Sequence, residues 1–173
     1  MLIVMTLLCG VAYTGVVTGI AQLLFPYQAN GSMVSVTSDD GAKQVYGSQL
    51  IEQAFSKPQY LIGRPMTVSN LSPDSDEQLR LVGQRVEWLR GVDPGNSADI
   101  PADLVTASGS GVDPYISVAA AEYQAARIAN ARGMSEGQVL AIIQKYTEGR
   151  FLGFVGEPAV NVLMVNLALD GKI

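Results

Sequence analysis

The stretch best suited to chemistry is Thr106-Ala-Ser108-Gly109-Ser110-Gly111-Val-Asp113-Pro114. A Gly/Ser loop that leads into a helix can turn successive backbone N–H groups towards an anion. This loop lacks the Gly-Lys-Ser/Thr ending with which a phosphate loop grips nucleotide. Chemistry alone therefore favours a tight connection between Val105 and a helix near Ser117 over a phosphate cradle. A second candidate is Gly63-Arg64-Pro65, an arginine in a stiff turn whose planar fork can meet a carboxylate. The expected partner there is a local salt bridge rather than a ligand.

Other chemistries are excluded by composition. With no histidine in the sequence, no Ser-His-Asp triad, Cys-His pair or histidine-based zinc site can form. A Ser-Lys arrangement stays formally open through Lys43, Lys57, Lys145 or Lys172, but no spacing pairs one of them with a serine. The sixteen acidic residues read as solvated surface. We assign no catalytic residue and no metal ligands. The single cysteine, Cys9, cannot make an internal disulfide. A net charge of −5 without a basic stripe argues against a nucleic-acid partner.

The element that dominates the organisation is the uncharged run from Met1 to Phe25, with no Asp, Glu, Lys or Arg before Asp39. About 20 predominantly apolar residues suffice to cross a bilayer as one helix. A cleaved signal peptide fits less well, since no basic segment leads the run and no small-x-small site follows it. The expected organisation is a transmembrane anchor over 1–26 and one α+β or α/β soluble domain over 27–173. Within the anchor, Gly15 and Gly19 form a GxxxG pattern, and Ala12 and Gln22 fall on the same side. Small residues one turn apart let a second helix approach closely, and Gln22 can hydrogen-bond across such an interface.

After Pro26, which should end the helix, Gln28-Ala29-Asn30-Gly31-Ser32 reads as a polar turn. A hairpin is predicted from Met33–Thr37, an Asp39-Asp40-Gly41 turn and a return at Val45–Tyr46. A short helix is expected over 49–55, with Leu50, Ile51 and Phe55 inward. Ser72-Pro73 reads as a helix start, followed by an inward face of Leu79, Val82, Val86 and Leu89, Trp88 beside it, and a stop at Gly91. An alanine-rich helix should run from Ser117 to Arg132 and end at Gly133. Another begins at Ser135, where Gln138 completes a capping box, with Val139, Ile142, Ile143 and Tyr146 inward. Val160 to Leu167 is apolar on both faces and reads as a central strand, with Asn161 and Asn166 satisfying backbone groups at its ends.

Taken in order, five stretches resemble the C subunit of the Kdp-type potassium-transporting ATPase family. They are Phe25-Pro-Tyr-Gln-Ala-Asn-Gly-Ser32, Gly47-Ser-Gln-Leu-Ile-Glu-Gln-Ala-Phe55 and Tyr60-Leu-Ile-Gly-Arg-Pro65. Asp103-Leu-Val-Thr-Ala-Ser-Gly-Ser-Gly-Val-Asp-Pro-Tyr-Ile-Ser117 and Gly156-Glu-Pro-Ala-Val-Asn-Val-Leu-Met-Val-Asn-Leu-Ala-Leu-Asp170 follow. The sequence departs from the family pattern at Thr14, where many members carry proline. It also departs after Pro65, where Met66-Thr67-Val68 leads directly to Ser69-Asn70-Leu71 without a longer polar loop.

The resemblance implies a non-catalytic subunit of a membrane complex that imports potassium at the expense of ATP. Its implied partners are a potassium-channel-like subunit, a P-type ATPase subunit and a small single-helix subunit. Family members are described as catalytic chaperones that raise the ATP affinity of the ATPase subunit. On that view Ser108, Gly109, Ser110 and Gly111 would contribute to a nucleotide site shared with that subunit, with no ATP held tightly by this chain alone. A competing view gives the subunit a role in assembly, its domain lying outside the membrane. The absence of Lys and Arg before Lys43 favours the outside placement. A membrane-anchored Ser-Lys hydrolase and a pilin-like assembly protein are the alternatives, although a pilin would carry an acid near its start, where Met5 stands.

Overall fold

Backbone hydrogen bonding in the computed structural model is described for residues 1–37, 41–68 and 70–173. Ser38, Ser69 and the two acids of the expected Asp39-Asp40-Gly41 turn lie outside the described residues. The chain divides into two compact units, Met1–Leu50 and Ile51–Ile173.

The first unit begins with α1, Leu2–Leu24, which is apolar and long enough to cross a membrane. Its turns are wide from Thr6 to Tyr13, and at their end the Thr14 hydroxyl donates to the Cys9 carbonyl at 3.0 Å. From Thr14 to Leu24 it is α-helical. Phe25 leaves the helix, and Pro26 opens a separate turn, α2, Pro26–Ala29. Proline thus ends one helix and takes the first position of the next, where its missing N–H costs nothing. The expected polar turn is correspondingly shorter, because Gln28 and Ala29 are helical. An antiparallel hairpin follows, β1, Met33–Thr37, with β2, Lys43–Ser48.

In the second unit the expected helix over 49–55 does not form. Its backbone groups are committed elsewhere: the Glu52 N–H donates to the Val112 carbonyl at 2.9 Å, far along the chain. Leu50 and Ile51 are exposed rather than inward, while Phe55 packs on the core edge. The next segment, 58–62, crosses the unit without belonging to any strand.

The long helix starts later than expected. Ser72 and Ser75 close a turn, with the Ser75 N–H donating to the Ser72 carbonyl at 3.1 Å and Pro73 at its second position. Ser75, not Ser72, caps the helix by accepting the Gln78 N–H. This helix, α3, Asp76–Val92, runs through Gly91 and ends at Asp93, ahead of Pro94, which disfavours helical geometry before it. Leu89 is buried, Val82 and Val86 pack against the core, and Leu79 is exposed.

A short strand β3, Tyr115–Ser117, leads into two helices where one was expected. Ser117 caps α4, Val118–Tyr123; the helix breaks at Gln124 and resumes as α5, Ala125–Arg132, closed by Gly133 at φ 65°. Ala120, Ala121, Ala125 and Ala129 are buried at close packing distance, whereas Ala119 and Ala126 face outward. The capping box at Ser135 and Gln138 forms as expected and opens α6, Glu136–Lys145. Val139 and Ile143 are buried in the core.

The apolar run beginning at Val160 is the largest correction. Only β5, Ala159–Asn161, is extended. It is central, with order β3-β5-β4 in an antiparallel sheet that includes β4, Thr147–Glu148. From Val162 to Leu169 the chain is a helix, α7, buried on most of its circumference. A run apolar on all sides fits a buried helix as well as a buried strand, since neither shows an alternating pattern. Asn161 decides it locally by capping α7, accepting the Met164 N–H at 3.1 Å. The antiparallel sheet with helices makes the unit α+β.

Asn166 bonds not at a strand end but from the middle of α7. Its Oδ1 accepts the Leu61 N–H at 2.7 Å and its Nδ2 donates to the Leu61 carbonyl at 2.9 Å. Replacing Asn166 with Ala leaves both buried backbone groups of Leu61 unpaired. We expect a loss of about 3 kcal/mol of unfolding free energy, read from denaturant melts.

Candidate functional site

The Ser108–Gly111 loop follows a single tight turn, Ala102–Leu104. The Ser108 hydroxyl accepts N–H groups from Gly111 at 2.9 Å and Asp113 at 3.4 Å. The Ser110 hydroxyl accepts the Val112 N–H at 3.3 Å. The amides from 111 to 113 are therefore turned onto the loop's own serines. Gly111 has φ 72°, and a Cβ there would lie 2.7 Å from Val68 Cγ2 and 3.0 Å from the Thr67 backbone. Only glycine meets both demands. Gly109 has open space around it.

Beside this loop lies a cleft of about 280 Å³. Its wall joins the irregular segment after Ile51, the Ile62-Gly63-Arg64-Pro65 turn, and Arg85 and Trp88 of α3. Arg64 donates to the Ala107 carbonyl at 3.5 Å, and its buried Nε has no hydrogen-bond partner among the described residues. Arg85 donates to the Val105 carbonyl at 2.8 Å and to the Thr67 hydroxyl at 3.3 Å. Both guanidiniums thus anchor the chain entering the Ser108 loop. The expected salt bridge of Arg64 is absent from the ion pairs formed among the described residues.

Glu52 forms the polar end of the cleft. It is 3% exposed, and its Oε2 has no partner among the described residues. A Cβ at Gly63 would collide with its Oε1, so glycine at 63 makes room for this carboxyl. Burial and, less strongly, the charge of Asp113 push its pKa from 4.5 up to about 7, against the opposing charge and backbone N–H of Arg64.

Of the cleft residues, Arg64 is legible in the sequence as a candidate and Trp88 only as a packing residue beside α3, while Glu52 and Arg85 carry no local signal. Arg85 and Trp88 are three apart on α3, a spacing that puts them on one face; nothing local links them to Glu52. The four loop residues Ser108 to Gly111 form one turn of the second unit. The other candidates, Ala12, Gly15, Gly19 and Gln22, belong to α1 of the first. Positions Gly15 and Gly19 have nothing within 4 Å of a Cβ. Gln22 is engaged inside its own unit, its Oε1 accepting from Asn30 Nδ2 at 3.0 Å.

Among the described residues, one apolar helix long enough to cross a membrane stands ahead of an α+β unit, the organisation of a candidate membrane-anchored subunit. Residues 1–171 match the family model described as KdpC: K+-transporting ATPase, c chain. The chain belongs to this family. It is 52% identical over 171 residues to the potassium-transporting ATPase KdpC subunit of Listeria monocytogenes serotype 4a, covering 97% of this chain and 90% of the relative. The KdpC subunit of Methylococcus capsulatus is 50% identical over 182 residues, covering 98% and 93%. That of Methylibium petroleiphilum is 50% identical over 180 residues, covering 97% and 92%.

The raised pKa of Glu52 links stability to pH. The folded chain binds this proton more tightly than the unfolded chain, so stability falls as pH rises from 4.5 through about 7 and is level above that. In Glu52→Gln this contribution disappears, and melting temperature measured across that window should decline less than in the parent.

Proposed function

We propose that the chain is a non-catalytic accessory subunit of an ATP-driven potassium-import complex, acting in its assembly and stability. Family membership supplies the complex. The observation that carries the assembly role is α1, which buries none of its residues within the chain and leaves Gly15 and Gly19 open to close approach. A lipid-exposed helix gains little from hydrophobicity in choosing a neighbour; small residues that admit a second backbone supply the packing. With Gln22 paired to Asn30, the strip of Ala12, Gly15 and Gly19 is the docking surface. Its partner is a helix of the channel-like, P-type ATPase or single-helix subunit.

The extramembrane unit is proposed to lie outside the cytoplasm, because residues 26–42 carry no Lys or Arg to hold that end inside. In that position any rise in ATP affinity of the ATPase subunit passes through contacts between subunits. The serine-capped amides at 111–113 support this reading over direct nucleotide contact at Ser108–Gly111.

Two experiments test these points. Gly15→Leu with Gly19→Leu puts bulky side chains on the docking strip; the variant should insert but co-purify several-fold less with the large subunits. Unchanged recovery would remove the strip from the interface. In a Cys9→Ser background, Ser97→Cys places a thiol at an exposed position of the second unit. It should react with an impermeant reagent in intact cells. Reaction only after lysis would put the unit in the cytoplasm and bring direct nucleotide contact to first place.

A further inference from the structure

The cleft beside Glu52 is lined by two guanidiniums, Arg64 and Arg85, that form no ion pair among the described residues. Its walls are largely apolar, from Phe55, Ile62, Met66, Trp88 and Leu104. Two guanidiniums stand in this lining, and the hydrogen bonds they donate go to neutral oxygens: the Ala107 and Val105 carbonyls and the Thr67 hydroxyl. Among the described residues, buried Arg64 Nε has no partner, and neither does Oε2 of Glu52, a side chain 3% exposed. Buried polar atoms without partners are costly, and cations beside apolar walls gain most from an anion that arrives with them.

We propose that this cleft binds a small organic acid, one carboxylate carried on an aromatic or branched aliphatic body. The carboxylate lies between Arg64 and Arg85, and the body packs on Trp88 and Phe55. Cleft size sets the scale of the ligand: a volume just under the usual range of about 300–1,000 Å³ admits a molecule of amino-acid size. Glu52 gates the charge. It is faced by Asp113 and by Arg64, and with Arg85 these are the charged groups around the cleft among the described residues. Protonated, Glu52 leaves the field of Arg64 to the incoming carboxylate; ionised, it repels that carboxylate and occupies the field of Arg64.

Trp88 is the only tryptophan of the chain and lines the cleft, so its fluorescence reports occupancy. The test uses the full chain in zwitterionic nanodiscs, titrated with phenylacetate and with its uncharged counterpart phenylacetamide. Phenylacetate should give a saturable change at a pH one unit below the Glu52 value of about 7, with the amide binding at least about tenfold more weakly. One unit above it, phenylacetate affinity should drop in the parent chain but not in Glu52→Gln. Arg85→Met should lose the preference for acid over amide. Equal binding of acid and amide by the parent chain, or no saturable change up to millimolar acid, would overturn the proposal without recourse to any variant.

Discussion

The second unit depends on how it satisfies a piece of backbone that has no strand to pair with. Residues 58–60 form a turn from which Leu61 and Ile62 enter the core outside any ladder, and side chains from α5, α7 and the break between α4 and α5 supply the missing partners. Arg127 of α5 donates to the Pro58 and Tyr60 carbonyls, Arg132 donates to Gln59, and Asn166 of α7 brackets both backbone groups of Leu61. Gln124 does the same for Ile62, accepting its N–H at 2.9 Å and donating to its carbonyl at 3.0 Å. An unmade bond here would strand a buried amide, which costs more than the bond itself returns.

That requirement explains features that look irregular one at a time. The break at Gln124 between α4 and α5 coincides with the residue whose amide must face Ile62. Arg127 can be buried because its donors are spent on carbonyls and on Gln124, with burial still pulling its pKa downward. Arg132 clamps the far end, pairing with Asp170 at 2.7 Å and lying over the Tyr60 ring. Held in this way, the segment delivers Gly63 and Arg64 to the cleft, where the absent side chain of Gly63 leaves room for Glu52.

The first unit is organised by a different constraint. α1 is helical from Leu2 to Leu24, the form in which a chain in hydrocarbon can satisfy its own backbone groups. None of its residues is buried. Its junction with the polar part is a proline that starts a new turn, and Asn30 and Gln22 pair side by side there.

Sequence by itself determined what depends on neighbours within a few residues. The apolar helix at the start, the strand Met33–Thr37, the capping box at Ser135 and the stop at Gly133 are all set by local patterns of polarity, capping and positive φ. The Gly-Arg-Pro turn and the Ser108 loop were visible as motifs, but not what their arginine and serines would bond. Only the tertiary structure decided that 162–169 is helical, that 49–55 is not, and that Ser75 rather than Ser72 begins α3. Those choices turn on where backbone donors find acceptors in distant parts of the chain. Glu52, Arg64, Arg85 and Trp88 meet in one cleft for the same reason: their proximity follows from how Leu61 and Ile62 are anchored in the core, and no local periodicity encodes it.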